Sequence, residues 1–202
     1  MTTIAVLGAG NIGATLARKW AVAGHQVSLA SRRPDAPALR ELAASVGART
    51  ATHLDAVSAA QVVLVALPGD AVPAVAEALG TAFNGKIVID ATNNLGPGEM
   101  NNIAALTHYA PGAIAVRAFN SVGWENFADP DFDGTPADLF WCGPGGDSGV
   151  LVEALIADVG LRPVQVGGLD QLHLVDMVAR LWFALALGQS RGRHLAFKIL
   201  TR

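Results

Sequence analysis

The tightest constraint on this chain is Gly8-Ala9-Gly10-Asn11-Ile12-Gly13, set between an apolar run, Thr3-Ile4-Ala5-Val6-Leu7, and a helical pattern. That pattern carries Ile12, Leu16 and Trp20 on one face and stops at Gly24. A strand that meets three glycines at this spacing and leaves as a helix has few ways to fold. Gly8 suits the tight turn, Gly10 lets the backbone approach a bound pyrophosphate, and Gly13 allows close packing of helix on strand. Free amides at the helix start, aided by the helix dipole, then face the phosphates. Outside this context the same string is only a glycine-rich turn; within it, Gly8, Ala9, Gly10, Asn11, Ile12 and Gly13 are expected to form a dinucleotide site.

The rest of the chain continues the alternation. Gln26–Ser31 reads as a second strand, and Pro34-Asp35-Ala36-Pro37 opens a helix carrying Leu39, Leu42, Ala43 and Val46, closed by Gly47. Asp35 is expected to be its N-cap. Ala48–Thr52 is a weak third strand, Gln61–Leu67 a strong fourth and Lys86–Asp90 a fifth, with a helix through Val72, Val75, Ala76 and Leu79 between the last two. Ala113–Phe119 and Ala137–Cys142 supply later strands, and Gly149–Gly160 and Leu169–Leu187 are helical. Continuously apolar strands separated by helices indicate a parallel sheet covered on both faces. The expectation is an α/β fold: a Rossmann-type, doubly wound, mainly parallel sheet in one domain over residues 1–202, with a helical C-terminal extension from about 169 to 202.

The end of the second strand separates the two nicotinamide cofactors. An NAD site usually has a carboxylate there for the ribose 2′-hydroxyl. This chain has Ser31-Arg32-Arg33, a hydroxyl and two guanidinium groups suited to a 2′-phosphate, and the nearby Asp35 is accounted for by capping. NADP(H) is therefore expected over NAD, with solvated loop arginines as the competing reading. Because ligands bind outside the carboxyl ends of such strands, three further loops face the same crevice. They are Leu67-Pro68-Gly69-Asp70, Ala91-Thr92-Asn93-Asn94 and Ala118-Phe119-Asn120-Ser121-Val122-Gly123-Trp124.

Composition narrows the rest. The chain is 51% hydrophobic and 15% charged with a net charge of −3, which gives no footing for nucleic acid or for disorder. Its longest apolar runs fall short of the ~20 residues of a membrane helix. The single cysteine, Cys142, cannot form an internal disulfide, which points to a reducing compartment, and no export leader is visible, so a cytoplasmic location is expected. His25, His53, His108, His173 and His194 lack metal-ligand spacing and read as structural or exposed, so no metal site is expected. Cys142 reads as a small buried apolar group.

Gly10-Asn11-Ile12-Gly13, Gly24-His25, Ser31-Arg32-Arg33, Lys86-Ile87-Val88, Ala118-Phe119-Asn120, Phe127-Ala128-Asp129, Gly160-Leu161-Arg162-Pro163 and Ala196-Phe197-Lys198-Ile199-Leu200 together resemble the NADPH-dependent coenzyme F420 reductases. The reductase domain of the STEAP metalloreductases is similar at a greater distance. The resemblance implies a hydride transfer between NADP(H) and the deazaflavin F420. It places the pyrophosphate on Ala9, Gly10, Asn11 and Ile12, and the 2′-phosphate on Ser31 and Arg32. Leu67, Pro68, Asn93 and Trp124 fall toward the nicotinamide half, and Asn94, Asn120, Leu195 and Ala196 toward the deazaflavin. The chain departs from archaeal members at Ala36, Asn120 and Asn93-Asn94, which lie mostly on the acceptor side.

Hydride transfer between stacked rings requires placement more than side-chain chemistry, and no general acid or base is advertised. About 30 residues follow Leu169, too few for the long helical second domain with which pyrroline-carboxylate reductases and hydroxyacid dehydrogenases enclose small substrates. A planar partner in an open crevice fits better. Two alternatives stand beside the deazaflavin reading: an NADPH reductase of FMN, FAD or another small acceptor, and a non-catalytic NADP-sensing module. The helix over 169–187 carries Leu172, Leu174, Val175, Val178, Leu181, Trp182, Phe183 and Leu185, more apolar surface than one sheet face covers, so a homodimer through it is expected. The competing reading is an internal helix wrapped by the tail.

Overall fold

The computed structural model describes residues 1–202 and divides into two compact units, Met1–Val116 and Arg117–Arg202. In the first, β1 (Thr3–Leu7), α1 (Asn11–Val22), β2 (Gln26–Ala30), α2 (Pro37–Val46), β3 (Arg49–Ala51), α3 (His53–Ala59), β4 (Val62–Val65), α4 (Val72–Leu79), β5 (Ile87–Asp90) and α5 (Ile103–Tyr109) alternate along the chain. The sheet order is β3-β2-β1-β4-β5-β6, where β6 (Ile114–Arg117) runs to the boundary between the units. β1 pairs in parallel with both β2 and β4, Ile4 lying opposite Val27 and Val62, and β2–β3 and β4–β5 are parallel as well. This is the doubly wound Rossmann sheet that the alternation predicts.

The sheet centre has no polar face to give to water. Every residue of β4 and β5 is buried, and β1 is buried from Ile4 onward. Ala5, Leu7, Val63, Val65 and Val88 share a core with Ala56 and Val57 of α3, Val72 and Ala76 of α4, and Leu106 of α5. On α1 the buried positions are Gly13, Leu16, Ala17 and Trp20, a single helical stripe. Two expectations need correction here. Asp35 does not cap α2: its N-cap is Ala36, without a side-chain hydrogen bond, because the Asp35 carboxylate pairs with Arg40 instead. Residues 53–59 form α3, a helix that the apolar pattern does not mark; Thr52 caps it, its Oγ1 accepting from the Asp55 amide at 3.1 Å.

The second unit holds α6 (Glu125–Ala128), a short hairpin of β7 (Asp131–Phe132) and β8 (Thr135–Pro136), then β9 (Asp138–Trp141), α7 (Gly146–Val159), β10 (Arg162–Gln165) and α8 (Leu172–Phe183). The Ala137–Cys142 segment does not join the six-stranded sheet. It pairs in parallel with β10, a strand absent from the sequence reading because Arg162-Pro163-Val164-Gln165 is half-exposed and carries a proline. Arg117 and Cys142 exchange backbone hydrogen bonds of 2.9 and 3.0 Å. The long C-terminal helix is α8 followed by a π-helical turn over Ala184–Gly188.

Candidate functional site

Each glycine of the loop meets a different physical demand. Gly8 has φ +108°, and a Cβ there would lie 2.3 Å from the Ala66 carbonyl oxygen at the end of β4. At Gly13 a Cβ would stand 1.9 Å from the Gly8 carbonyl oxygen and 3.1 Å from Val6 Cγ1. Gly10, the N-cap of α1, is the opposite case: φ is −76° and nothing lies within 4 Å of a Cβ built on it. The first turn of α1 has no acidic residue and no capping side chain, and its first hydrogen bond runs from the Ala14 amide to the Gly10 carbonyl at 2.8 Å. The amides of Asn11, Ile12 and Gly13 therefore have no helical acceptors. An uncapped helix start, an open space over Gly10 and a bare first turn make a fitting seat for a pyrophosphate.

A cavity of about 500 Å³ opens beside the end of β2, lined by Ser31, Arg32, Thr52, His53, Leu54, Ala74, Val75, Ala78 and Leu79. Three elements build it: the β2 end, the β3–α3 turn, and the face of α4. Ser31 is fixed by its amide on the Ala51 carbonyl at 3.0 Å, while its Oγ accepts from the Arg33 amide at 3.1 Å. Arg32 and Arg33 are both exposed, and Arg32 lines the cavity while Arg33 is off its lining. Sequence reasoning reached Ser31 and Arg32 but missed the residues from α3 and α4. The signal for the first of these was the Thr52-His53-Leu54-Asp55 capping pattern.

At the end of β5 the polar residues are engaged with one another. Asp90 is fully buried; its Oδ1 accepts from the Thr92 amide at 3.0 Å and from Thr92 Oγ1 at 2.6 Å, and its Oδ2 accepts from the Asn102 amide at 2.7 Å. Asn102 Nδ2 donates to Thr92 Oγ1 at 2.8 Å. Asn94, expected on the acceptor side, holds its own loop: its amide donates to the Met100 carbonyl at 2.8 Å, and its Nδ2 lies 3.4 Å from the carbonyls of Glu99 and Asn101. Its side chain sits against Gly69, where a Cβ would fall 1.6 Å from Asn94 Oδ1. Asn93 is half-buried, and Leu67 and Pro68 lead into the turn before α4.

The second unit gathers its own group of expected residues. Phe119 has φ +60°, is fully buried and meets Phe127 edge-on at 5.7 Å. Asn120 is buried, its Nδ2 3.5 Å from Asp176 Oδ1, and that oxygen also accepts from Arg117 Nε and Nη2 at 2.9 Å each. Trp124 precedes α6. The Leu195 carbonyl accepts from Trp182 Nε1 at 2.6 Å and from Asn126 Nδ2 at 3.2 Å, and Asn126 Nδ2 also reaches the Arg193 carbonyl at 3.0 Å. Ala196 lines a small cavity of about 160 Å³ with Phe132, Thr135, Pro136, Ala137, Phe197 and Lys198. Ser121 Oγ and Asn126 Oδ1 are buried without a hydrogen-bond partner. Burial pushes the Cys142 thiol up to about 11.

A family model described as NADP oxidoreductase, coenzyme F420-dependent, matches residues 3–94. The crystal structure of a candidate F420-dependent NADP reductase from Arthrobacter sp. FB24 superposes over 100% of both chains with a TM-score of 0.86 and 24% identity. A hypothetical protein from Sinorhizobium meliloti is 30% identical over 84% of this chain and 87% of its own, with a TM-score of 0.71. An Aspergillus terreus reductive aminase, crystallised with NADPH and ethyl 5-oxohexanoate, gives a TM-score of 0.66 at 18% identity, over 94% of this chain and 62% of that one. No helix is long and apolar enough to cross a membrane. The segment over residues 3–94, which carries the glycine loop and the arginine-bearing strand end, is a domain of the family described as NADP oxidoreductase, coenzyme F420-dependent.

Proposed function

We propose that this protein transfers a hydride between NADP(H) and a deazaflavin of the F420 type. The observation that carries the nucleotide half is the cavity at the end of β2, where Ser31 and Arg32 stand with no carboxylate in the lining. In this reading Gly8, Ala9, Gly10, Asn11, Ile12 and Gly13 hold the pyrophosphate, Ser31 and Arg32 take the 2′-phosphate, and the apolar faces of Leu54, Val75 and Leu79 receive the adenine. Leu67, Pro68, Asn93 and Trp124 serve the nicotinamide half. When bound, NADPH supplies the hydride; the protein's task is to orient the rings and exclude water, with no side chain acting as acid or base.

The acceptor half rests on the family description and on the polar residues of the second unit. Asn120, Leu195 and Ala196 are proposed to face the deazaflavin. The buried, unpartnered Ser121 Oγ and Asn126 Oδ1 offer polar valences of the kind a ring carbonyl and ring N–H would satisfy. Asn94 is proposed to act through the loop it holds. The test is NADPH oxidation with F420, FMN, FAD and a cyclic imine offered separately. Turnover with F420 at least about a hundredfold above the others in kcat/KM supports the reading, a gap of about 2.7 kcal/mol in transition-state stabilisation. Turnover with a flavin or the imine alone replaces the acceptor, and NADPH binding without turnover of any of them points to a sensing module. Asn120→Leu is expected to raise the KM for the acceptor, and to lower the melting temperature to the extent that it removes the buried contact with Asp176.

A further inference from the structure

The β2-end cavity contains a second ionisable side chain that the dinucleotide reading leaves unused. His53 opens α3 and is half-buried, lining the same cavity as Ser31 and Arg32. Arg32 and His53 are the only ionisable groups of that lining, and both bear positive charge when protonated. The face contributed by α4 is Ala74, Val75, Ala78 and Leu79, which brings no charge, and Glu77 of the same helix lies off the lining. On α3 itself the acid is Asp55, whose carboxylate accepts from Thr52 Oγ1 at 2.6 Å. Around the imidazole, then, there is one fixed cation, an apolar wall, and an acid already engaged in the helix cap.

We propose that His53 is a second cation for the 2′-phosphate of NADP, completing with Ser31 and Arg32 a subsite that closes by taking up a proton. The proposal rests on the NADP reading above. In the free protein, burial first and the neighbouring Arg32 second hold the His53 imidazole below its usual range, so it stands neutral near pH 7. A phosphate dianion placed between the two side chains reverses the local field: it offsets the Arg32 repulsion and accepts a hydrogen bond from the imidazolium. The proton comes from solvent, and no bond other than N–H is made. NAD has a hydroxyl at this position and provides no such field. The preference for NADP over NAD therefore strengthens as pH falls, until the phosphate itself begins to protonate near pH 6.

The experiment is calorimetric titration of the parent, His53→Gln and His53→Arg with NADP and with NAD. It is run between pH 6.5 and 8 in two buffers of different protonation heat. The parent is expected to take up protons on binding NADP and none on binding NAD, and its ratio of NAD to NADP dissociation constants should rise about three- to tenfold from pH 8 to 6.5. His53→Gln should abolish the uptake and flatten the ratio at a lower value. His53→Arg should flatten it at a higher one, and it decides the matter with the parent if the glutamine variant fails to fold. Proton uptake or a pH-dependent ratio that survives in either variant overturns the proposal while leaving the NADP reading intact. An equal loss of NAD and NADP affinity in His53→Gln also overturns it, since that marks an adenine contact. A parent that binds NADP no tighter than NAD at any pH overturns both readings.

Discussion

Arg32 is proposed to set nucleotide choice: of the two exposed arginines after β2, it lines the β2-end cavity, while Arg33 is off the lining. Arg32→Ala is expected to remove about 1.5–3 kcal/mol of the preference for NADP, the worth of a charge-assisted hydrogen bond, and to leave NAD affinity near the parent value. Calorimetry with both nucleotides at one ionic strength checks this; an unchanged ratio counts against the assignment. Cys142 makes a contrasting case. With its thiol pushed up to about 11 by burial, it should stay unmodified by thiol reagents at pH 8 in the native protein and react at once on unfolding. Fast labelling of the folded chain would contradict the buried placement. Ser31 and Arg32 were legible in the sequence because a strand end without an acid is a pattern. His53 was not, because a lone histidine has no pattern, and its meaning comes from α4 and the β2 end meeting beside it.

At the scale of elements, α1 and its loop separate two kinds of glycine. Gly13→Ala drives a methyl into the Gly8 carbonyl and should cost at least about 1–3 kcal/mol of stability, seen as a lowered melting temperature without ligand. Gly10→Ala puts its methyl into open space at an ordinary φ, so stability should change by less than about 0.5 kcal/mol while NADP affinity falls at least tenfold. If both variants behave alike, the loop has no phosphate over it. Asp138 on β9 sets a second test. Burial alone would raise its carboxyl, but Arg162 at 2.5 and 2.6 Å, the Ile199 amide at 2.7 Å and Lys198 at 3.1 Å outweigh burial and hold it below the usual carboxylate range. Its contribution is therefore complete above the ordinary Asp value of about 3.9 and is lost as pH falls through the lower folded value. Asp138→Asn should remove that dependence and loosen the tail, read as faster hydrogen exchange at Ile199; unchanged exchange would mean the tail is held by other contacts. The order of strands and helices in the first unit was legible because β1, β4 and β5 are apolar without interruption. α3 was missed because seven residues give too short a period, and β10 because a half-exposed strand with Pro163 resembles a turn. The link from the Asn94 amide to the Met100 carbonyl was not legible, because it spans a loop that no local pattern encodes.

The molecule as a whole leaves one apolar surface without a partner. On α8, Val175, Ala179 and Trp182 are buried, whereas Leu174, Met177 and Leu181 are 41%, 60% and 50% exposed, and Leu187 in the turn that follows is 49% exposed. Leu174, Met177 and Leu181 step by three and four, so they form one stripe along the helix rather than scattered single residues. Some exposed apolar side chains are ordinary on any protein, but a continuous stripe beside an equally apolar buried face is what an isologous contact between two copies presents. The competing idea, a helix fully wrapped by the tail, does not fit, because the tail's hydrogen bonds go to Trp182, Asn126, Glu125, Pro136 and Asp138 and leave the stripe in solvent. A homodimer that pairs α8 with α8 is therefore expected. Light scattering should give twice the chain mass at micromolar concentration, and Met177→Glu with Leu181→Glu should shift it to the monomer, because two carboxylates facing their symmetry mates cannot both be buried unpaired. Both changes lie on exposed positions, so the monomer's melting temperature should fall only as far as the lost association requires, and it should become independent of protein concentration. A parent that scatters as a monomer from nanomolar to high micromolar concentration would leave the stripe without this role, and a variant that remains dimeric would move the interface off α8.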